Sequence, residues 1–146
     1  MARRLNILLI NHYAGTPSLG MEYRPYYLAR EWVRAGHRVT VVAANFSHVR
    51  THQPQAGEEE VDGITYRWLP TPGYQGNGLG RVRNIWHFLR QVWQRAPALV
   101  TDCQPDMVIA SSTYPMDIWV ARRIARLAGP SWCTRYMTSG HCRRLN

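Results

Sequence analysis

The chain has 146 residues, 45% of them hydrophobic, and its 18 basic side chains against 9 acidic ones give a formal net charge of +9. This length allows one α/β domain with a proper core but not two of ordinary size, and the composition excludes a disordered chain. The positive field favours an anionic partner such as a nucleotide, a sugar phosphate or an anionic membrane face.

The sequence pattern also excludes several classes of protein. The basic residues, all arginines, are spread along the chain without a helix-turn-helix, RNA-recognition or zinc-finger pattern, so nucleic acid is not expected as a partner. No stretch reaches the length of a membrane span, and no signal peptide precedes the first predicted strand, which indicates a cytoplasmic protein. Cys103, Cys133 and Cys142 are too widely spaced for a metal knuckle or a disulfide framework and are predicted to be unpaired.

The amino-terminal part predicts a βαβ unit. Residues 6–10 and 38–44 are short apolar runs, typical of strands that are covered on both faces. Between them, apolar or small residues recur at the spacing of one helix face: Leu28, Ala29, Trp32, Val33 and Gly36. The result is a Rossmann-like, doubly wound parallel sheet of the α/β class. Ligands bind beyond the carboxyl ends of such strands, here at residues 12–20, which we call the glycine loop.

The middle of the chain predicts loops around one strand. Residues 45–60 are polar and are predicted to form an exposed loop. Its glutamates, Glu58 to Glu60, could bind a cation, although a solvated charge cluster is the simpler interpretation. Residues 61–69 alternate like a strand with a local turn at Asp62 and Gly63, and residues 70–80 follow as a Gly- and Pro-rich loop.

The segment from Arg81 to Ala96 is predicted to be an amphipathic helix. Its apolar residues fall on one face, and Pro97 limits how far the helix continues unbroken: the apolar set is Val82, Ile85, Trp86, Leu89, Val92 and Trp93. A basic helix with two tryptophans could lie on an anionic membrane surface as a peripheral contact. The alternative is a crossover helix that packs on the sheet with its arginines in water.

A further strand and helix follow. Residues 107–111 form another apolar run, and residues 116–128 are predicted to be a helix that Gly129 caps. Its predicted buried side comprises Ile118, Ala121, Ile124, Ala125 and Ala128. Ser111, Ser112 and Tyr114 lie between these two elements, at the carboxyl end of a strand. They are therefore predicted to open into the same crevice as the glycine loop.

The glycine loop and its flanks supply the remaining candidate binding residues. Gly15 and Gly20 let the backbone approach a ligand closely at the amino terminus of a helix, which favours an anion. The loop lacks the Lys-Ser or Lys-Thr of a Walker motif and the glycine pattern of a dinucleotide fold, so neither activity is expected. Arg24 could grip a phosphate or carboxylate, or it could pair with Glu22 or Glu31.

Two polar residues directly follow the first strand. Asn11 could bind a sugar hydroxyl or satisfy backbone groups at the strand end. His12 could act as a general base, donate a hydrogen bond to substrate, or be structural. No nucleophilic triad and no metal site can be assembled from the sequence.

Residues 130–146, which we call the tail, show neither a helical nor a strand period and are predicted to be unstructured. Read in the shifted codon frame, the genetic code permits the segment AKLVYEVHDLWPLSP here, an apolar strand that ends in His-Asp. We therefore hypothesise that the gene is frameshifted near Gly129 and that the protein is a truncated remnant. The alternative is a genuine short protein with a disordered basic tail.

Three segments carry a resemblance to a known family: residues 6–50, which include RPYYLAREW and AGHRVTVV, then residues 61–84 and 105–129. They resemble the amino-terminal, acceptor-side domain of glycosyltransferase family 4, GT-B fold, of the O-antigen and capsule type. Residues 1–129 would form this domain. The shifted-frame EVHDLWP is similar to what that family shows next.

The resemblance implies a retaining, metal-independent transfer of a sugar from a nucleotide-sugar to a polysaccharide or lipid-linked acceptor at the inner membrane face, without a cofactor. Gly15, Gly20 and Arg24 match the family's glycine loop and its arginine. The family's His-Asp and its carboxyl-terminal domain are missing, so this half is expected to be inactive alone. Two alternatives stay open: a half-enzyme with a separate donor-binding partner, and a non-catalytic module that binds anions or membrane.

Overall fold

A computed structural model describes residues 3–20, 23–48, 50–76, 78–129, 133–136 and 142–144 of the chain. In this part, three helices are interspersed among seven strands. They are β1 (Asn6–Ile10), α1 (Tyr23–Arg34), β2 (Arg38–Ala44), β3 (Gly57–Val61), β4 (Ile64–Leu69), α2 (Leu79–Cys103), β5 (Met107–Ala110), α3 (Asp117–Ala128), β6 (Cys133–Tyr136) and β7 (Cys142–Arg144). The predicted positions of β1, β2 and β5 and of the two flanking helices α1 and α3 are confirmed to within a residue or a few.

The strands form one sheet in the order β3-β4-β2-β1-β5-β6-β7. Pairing is parallel from β4 through β2, β1 and β5 to β6, whereas β3 and β7 add antiparallel strands at the two edges. The sheet is therefore mostly parallel, and the predicted Rossmann-like α/β fold is confirmed.

Helices cover both faces of this sheet. Successive side chains of a strand point to opposite faces, so Leu8 and Ile10 face α2 and α3 while Ile7 and Leu9 face α1. On the α1 side, Tyr26 and Ala29 are the buried helix contacts of the core. Because both faces of β1 are covered, its residues from Ile7 to Ile10 are all apolar.

A hairpin stands where the sequence predicted a loop and a single strand. Residues 57–60, expected to belong to an exposed loop, form the edge strand β3 together with Val61. Asp62 and Gly63 both have positive φ, 52° and 79°, and form the two-residue turn that leads into β4. On β3, Glu58 forms an ion pair of 3.1 Å with Arg67 and stays exposed, as do Glu59 and Glu60, so the glutamates are solvated charges.

Helix α2 does not end near Pro97, contrary to the prediction, but continues through it to Cys103. Proline removes the N–H that would bond the carbonyl four residues earlier, here that of Trp93. In this structure the Nε atom of Arg123 in α3 donates to that carbonyl at 3.1 Å. The neighbouring helix thus replaces the missing donor, which explains why the proline is tolerated.

The buried face of α2 also differs from the prediction. Leu89 and Val92 are buried as expected, but Val82, Trp86 and Trp93 are exposed. The core side instead comprises Asn84, Phe88, Leu89, Val92, Ala96, Leu99 and Cys103. On α3, Val120 is buried where Ile118 was expected. Helix α2 therefore packs on the sheet, as the crossover interpretation predicts, and leaves a second apolar stripe in solvent.

The prediction that the whole tail is unstructured is wrong for two stretches. Residues 133–136 form β6, which pairs in parallel with β5, and residues 142–144 form β7. The sequence did not predict these strands because their residues show no alternation of apolar and polar side chains. Their formation depends instead on pairing with the edge that β5 exposes. The rest of the tail lies outside the described residues, and the shifted reading frame stays a hypothesis about the gene.

Candidate functional site

The ends of β1 and β5 meet through polar side chains. Asn11 follows β1, and its Nδ2 atom donates to both the carbonyl and the Oγ atom of Ser111 at 3.1 Å. The backbone N–H of His12 donates to the Oγ atom of Ser112 at 3.1 Å. The structure thus places Asn11, His12, Ser111 and Ser112 together, and the predicted juxtaposition of the two loops is confirmed.

His12 lies beneath this edge rather than in it. Its side chain is fully buried, the Nδ1 atom lies 2.7 Å from the hydroxyl of Tyr114, and the Nε2 atom lies 2.5 Å from Oδ1 of Asn84. Both ring nitrogens are therefore occupied by protein groups. In this arrangement His12 positions the first strand end against α2 and the Ser111–Tyr114 loop, and it has no nitrogen free for substrate.

The hydrogen bonds fix the tautomer of His12. The Nδ2 atom of Asn84 donates to the carbonyl of Pro72 at 2.7 Å, so the Oδ1 atom of Asn84 must accept from His12. Nε2 therefore carries the proton, and Nδ1 accepts from Tyr114. Burial is the main reason that the pKa of His12 falls to about 3; the charges of Arg50 and Arg81 act in the same direction, against the hydrogen bond to Asn84. The ring is neutral at physiological pH.

Aromatic side chains close this end of the sheet. Tyr13 stacks on His12 with ring centroids 4.5 Å apart, and its hydroxyl accepts a hydrogen bond of 3.2 Å from Nε of Arg81 at the start of α2. The hydroxyl of Tyr74 lies 2.6 Å from Nδ1 of His48. These contacts bring the loops after β1, β2 and β4 to one rim, where the exposed His48 and the partly exposed Arg81 face outward.

Arg50 is a buried cation that the sequence analysis missed. Its two terminal nitrogens donate to the carbonyls of Ala44 and Ala14 at 2.6 Å each, and its guanidinium lies 5.0 Å from the Trp68 ring centre. Burial lowers the pKa of Arg50 to about 10, so it stays charged at neutral pH. Arg50 thus ties the glycine loop to the end of β2 and contributes positive charge beneath the loop. An isolated arginine in a polar segment gives no periodic signal.

Asp117, at the start of α3, was also missed. It is buried, and its Oδ2 atom accepts from the backbone N–H of Ser112 at 2.8 Å. Burial raises the pKa of this carboxyl group. A carboxylate in the first turn of a helix is the signal that could have identified it. Its role is to hold the Ser112 backbone in the geometry that meets His12.

The two glycines predicted for close approach occupy different surroundings. Gly15 is buried, and its carbonyl accepts from the hydroxyl of Tyr66 at 3.3 Å. Gly20 has a φ of +77°, and a Cβ atom there would stand 2.6 Å from Oγ1 of Thr51. A side chain is excluded at Gly20 by both backbone conformation and space, so the turn into α1 requires glycine.

Arg24 lies in the first turn of α1 and is exposed. The predicted pair with Glu31 is not formed, because Oε1 of Glu31 lies 2.7 Å from Arg34 and 3.4 Å from Arg30. Glu22, the other predicted partner, lies outside the described residues. Arg24 therefore presents its guanidinium to solvent beside the glycine loop, as an anion-binding role requires.

The site as a whole is suited to binding an anion. Backbone groups of the glycine loop, the Arg24 side chain and the positive field of Arg50 favour an anion near the amino terminus of α1. Within the described ranges, no group of three His, Cys, Asp or Glu side chains could hold a metal ion. Across those same ranges, no helix has both the length and the apolar character to cross a bilayer.

Comparison with known protein families gives one match. The model of the glycosyl transferase 4-like domain matches residues 20–144, from the last residue of the glycine loop to the end of β7. The matched range includes the three helices and the strands β2 to β7, and it begins after β1. No curated protein sequence matches the chain significantly.

Proposed function

Because the chain belongs to the glycosyl transferase 4-like domain family, we propose that it is the acceptor-side half of a glycosyltransferase that uses a nucleotide-sugar donor. The acceptor is a polysaccharide or a lipid-linked sugar of the O-antigen or capsule type. The observation that carries this proposal is the family match over residues 20–144. The site at the strand ends supports it, because the carboxyl ends of parallel strands are where folds of this class bind their ligands.

Each part of the site has a role in this proposal. The diphosphate of the donor approaches the glycine loop and the amino terminus of α1, where Arg24 forms charge-assisted hydrogen bonds to it. Arg50 stabilises the loop from below and adds positive charge. Ser111 and Ser112 orient the sugar hydroxyls near the ends of β1 and β5. Asn11 is buried, donates to Ser111 and accepts from the backbone N–H of Tyr13, so it satisfies groups at the strand end and positions Ser111. The transfer is retaining, as the family resemblance implies. It needs no divalent metal, because arginine and the helix terminus offset the charge of the leaving nucleotide.

One wall of a cleft does not orient both reactants. Catalysis between a donor and an acceptor requires both to be held in near-attack geometry, and the described residues build a single sheet with one such edge. We propose that a second, donor-binding domain closes the cleft, either on the same polypeptide or on a separate one. The 146-residue chain by itself is then inactive.

The frameshift near Gly129 belongs to the same proposal. The shifted reading frame can encode an apolar strand that ends in His-Asp. In the chain as translated, β6 lies beside β5, which is where a doubly wound sheet places its next strand. Sequencing the gene beyond codon 129 tests this directly. Downstream bases that encode no further domain in the shifted frame would refute it.

A transfer assay tests the proposed function. The chain is incubated with radiolabelled nucleotide-sugars and lipid-linked acceptors, first alone and then joined to the donor-binding domain of a family member. We expect transfer only in the joined form, and transfer that persists in EDTA. Transfer by the chain alone would refute the half-enzyme proposal, and its absence from every joined form would refute the acceptor-side role.

The same assay tests whether Arg24 binds the substrate. In the joined enzyme, Arg24→Ala removes a charge-assisted contact and is expected to lower kcat/KM by about 10- to 100-fold. Arg34→Ala, at the other end of α1 and also exposed, is the matched control and should leave kcat/KM unchanged. Equal kinetics for Arg24→Ala and the unmodified enzyme would remove Arg24 from the site.

A further inference from the structure

Four side chains from separate segments of the chain meet at the rim of the candidate site. Tyr13 follows β1, His48 follows β2, Tyr74 follows β4, and Arg81 lies in the first turn of α2. The Tyr13 ring is central to the group: the His48 ring centre lies 5.9 Å from it, edge to face, and the Arg81 guanidinium lies 5.7 Å from it. The Tyr74 hydroxyl lies 2.6 Å from Nδ1 of His48. We call these four residues the rim cluster.

The two tyrosines hold the two basic side chains at the surface. Tyr13 and Tyr74 are 3% and 9% exposed, whereas His48 is exposed and Arg81 is partly exposed. The hydrogen bond from Nε of Arg81 to the Tyr13 hydroxyl raises the pKa of Arg81, which therefore stays charged. Burial raises the pKa of Tyr74, so its hydroxyl stays protonated at neutral pH and can donate to Nδ1 of His48. Nε2 of the neutral His48 ring then carries the proton and is a donor.

The loops at this edge of the sheet contain no acidic residue. The segments that follow β1, β2, β4 and β5 are residues 11–20, 45–56, 70–78 and 111–116, and they include one arginine and three histidines but neither aspartate nor glutamate. Asp117, directly after the last of these segments, is buried. The mouth of the site therefore carries a positive potential, which attracts an anion and does not attract a neutral sugar.

Arg24 and Arg81 lie on opposite sides of the strand ends. Helix α1 packs on one face of the sheet and α2 on the other, and each helix begins at the carboxyl edge. The ends of β1 and β5 therefore lie between the two cations. The proposed function places the donor diphosphate at Arg24, so the rim cluster is placed to receive a phosphate that belongs to the other substrate.

We propose that the rim cluster binds the phosphate of a lipid-linked acceptor, which makes the acceptor a lipid phosphate or lipid diphosphate sugar rather than a neutral polysaccharide. The Arg81 guanidinium and Nε2 of His48 donate to the phosphate oxygens, and Tyr13 and Tyr74 position these donors. The inference rests on the proposed function, which leaves the two acceptor classes open. Arginine binds phosphate through charge-assisted hydrogen bonds, whereas a neutral polysaccharide offers hydroxyl groups alone.

Binding of a lipid diphosphate to the full 146-residue chain tests the proposal. Geranyl diphosphate is titrated calorimetrically, with geraniol as its phosphate-free counterpart, and we expect only the diphosphate to bind. Arg81→Gln removes a charge-assisted contact and should lower the affinity about 10- to 100-fold. Arg83→Gln, the matched control, removes the same charge from an exposed position. It should leave the affinity nearly unchanged, because residues two apart on a helix do not face each other.

Tyr13→Phe tests whether Tyr13 acts through Arg81. The variant keeps the ring but removes the hydroxyl that accepts from Nε, and it should lower the affinity about 3- to 10-fold. In the Arg81→Gln background the same change should have little effect. Circular dichroism checks that each variant keeps the fold. Equal losses in the two backgrounds would overturn the positioning role of Tyr13, and equal affinities of Arg81→Gln and the unmodified chain would overturn the site.

Because the donor also carries phosphate, a second arm separates the two substrates in the joined enzyme. Arg81→Gln should raise KM for a geranyl diphosphate-linked sugar about 10- to 100-fold, while KM for the nucleotide-sugar and transfer to the octyl glycoside of the same sugar stay unchanged. A raised KM for the nucleotide-sugar alone would assign the cluster to the donor, and equal losses on both acceptors would show that it does not recognise phosphate. Either result would overturn the proposal.

The two proposals fail separately. Calorimetry needs neither donor nor transfer, so the absence of sugar transfer from every joined form refutes the proposed function and leaves the binding measurement intact. A chain that does not bind geranyl diphosphate refutes the phosphate site, even where the joined enzyme transfers sugar to the octyl glycoside.

Discussion

The Nε atom of Arg123 in α3 donates a hydrogen bond of 3.1 Å to the backbone carbonyl of Trp93 in α2, the carbonyl that Pro97 leaves without its helical donor. The same guanidinium lies over the Trp93 ring, 4.6 Å from its centre. One side chain thus satisfies the interrupted turn of the long helix and packs on the residue that carries it. This couples α2 to α3.

The coupling predicts a specific double-mutant cycle. Arg123→Met should lower the free energy of unfolding by about 1 kcal/mol, because the Trp93 carbonyl loses its donor. Pro97→Ala should raise it by up to about 3 kcal/mol, because proline is unfavourable inside a helix. In the Pro97→Ala background the restored backbone N–H bonds the carbonyl, so Arg123→Met should cost about 0.5 kcal/mol less than in the unmodified chain. Urea unfolding measures all four proteins, with Arg126→Met as an exposed control, and strict additivity would contradict the coupling.

We predict a steric cost for a side chain at Gly20. Comparison with a second glycine separates this cost from that of backbone strain. Gly20 and Gly76 have similar positive φ values, +77° and +73°, but a Cβ atom at Gly76 meets nothing within 4 Å. Both alanine variants should lose about 1 kcal/mol for the left-handed backbone. Gly20→Ala should lose about 1 to 3 kcal/mol more, because the Thr51 side chain must move. Thr51→Ala should recover part of that excess in thermal or urea unfolding, and equal costs at the two glycines would refute the steric account.

His12 predicts a pH dependence of stability. Its folded pKa of about 3 lies below the unfolded value of about 6.5, so the unfolded chain takes up the proton first as the pH falls. The contribution of the neutral His12 ring to the free energy of unfolding is therefore complete above about pH 6.5. It is lost as the pH falls toward 3, by about 1 kcal/mol per pH unit. His12→Gln should flatten the dependence between about pH 6.5 and pH 5, above the carboxylate range. His52→Gln, an exposed control, should keep it, and an unchanged slope in His12→Gln would contradict a neutral buried ring.

Arg50 predicts a loss of order in the glycine loop. Arg50→Met leaves the carbonyls of Ala14 and Ala44 without their donors, which should lower the free energy of unfolding by about 2 to 4 kcal/mol. Removal of a buried charge offsets part of this loss. Arg50→Lys should be intermediate, because a single ammonium does not reproduce the two-pronged geometry. Hydrogen exchange should rise at residues 12–16 in the Met variant. Arg38→Met, exposed at the other end of β2, is the control, and unchanged exchange would show that Arg50 does not hold the loop.

The sequence predicted those strands and helices in which a single pattern of apolar residues coincides with the buried positions. The apolar runs of β1, β2 and β5 are covered on both faces, so their composition alone identifies them. Strand β3 escaped prediction because it lies at an edge, and its glutamates carry no apolar alternation. For α2, apolar residues occur on most of the circumference, so periodicity did not determine which stripe meets the sheet.

The candidate site was predictable in place but not in detail. The topology rule located Asn11, His12 and the Ser111–Tyr114 loop at one edge, because the carboxyl ends of parallel strands meet there. The rule does not reveal that His12 points inward onto Asn84, which lies far away in the sequence. Nor does it reveal Arg50, since its partners are backbone carbonyls that any residue could supply.

The glutamates of β3 also affect how molecules meet one another. Among the residues that the structure describes, none pairs with the outer edge of this strand, and exposed edges of this kind recruit strands from other molecules. Glu58, Glu59 and Glu60 are exposed along that edge, and a second copy added there would place carboxylates beside carboxylates. Electrostatic repulsion therefore disfavours the addition of a strand from another molecule at this edge. The glutamates that made β3 difficult to predict from the sequence also reduce its tendency to aggregate.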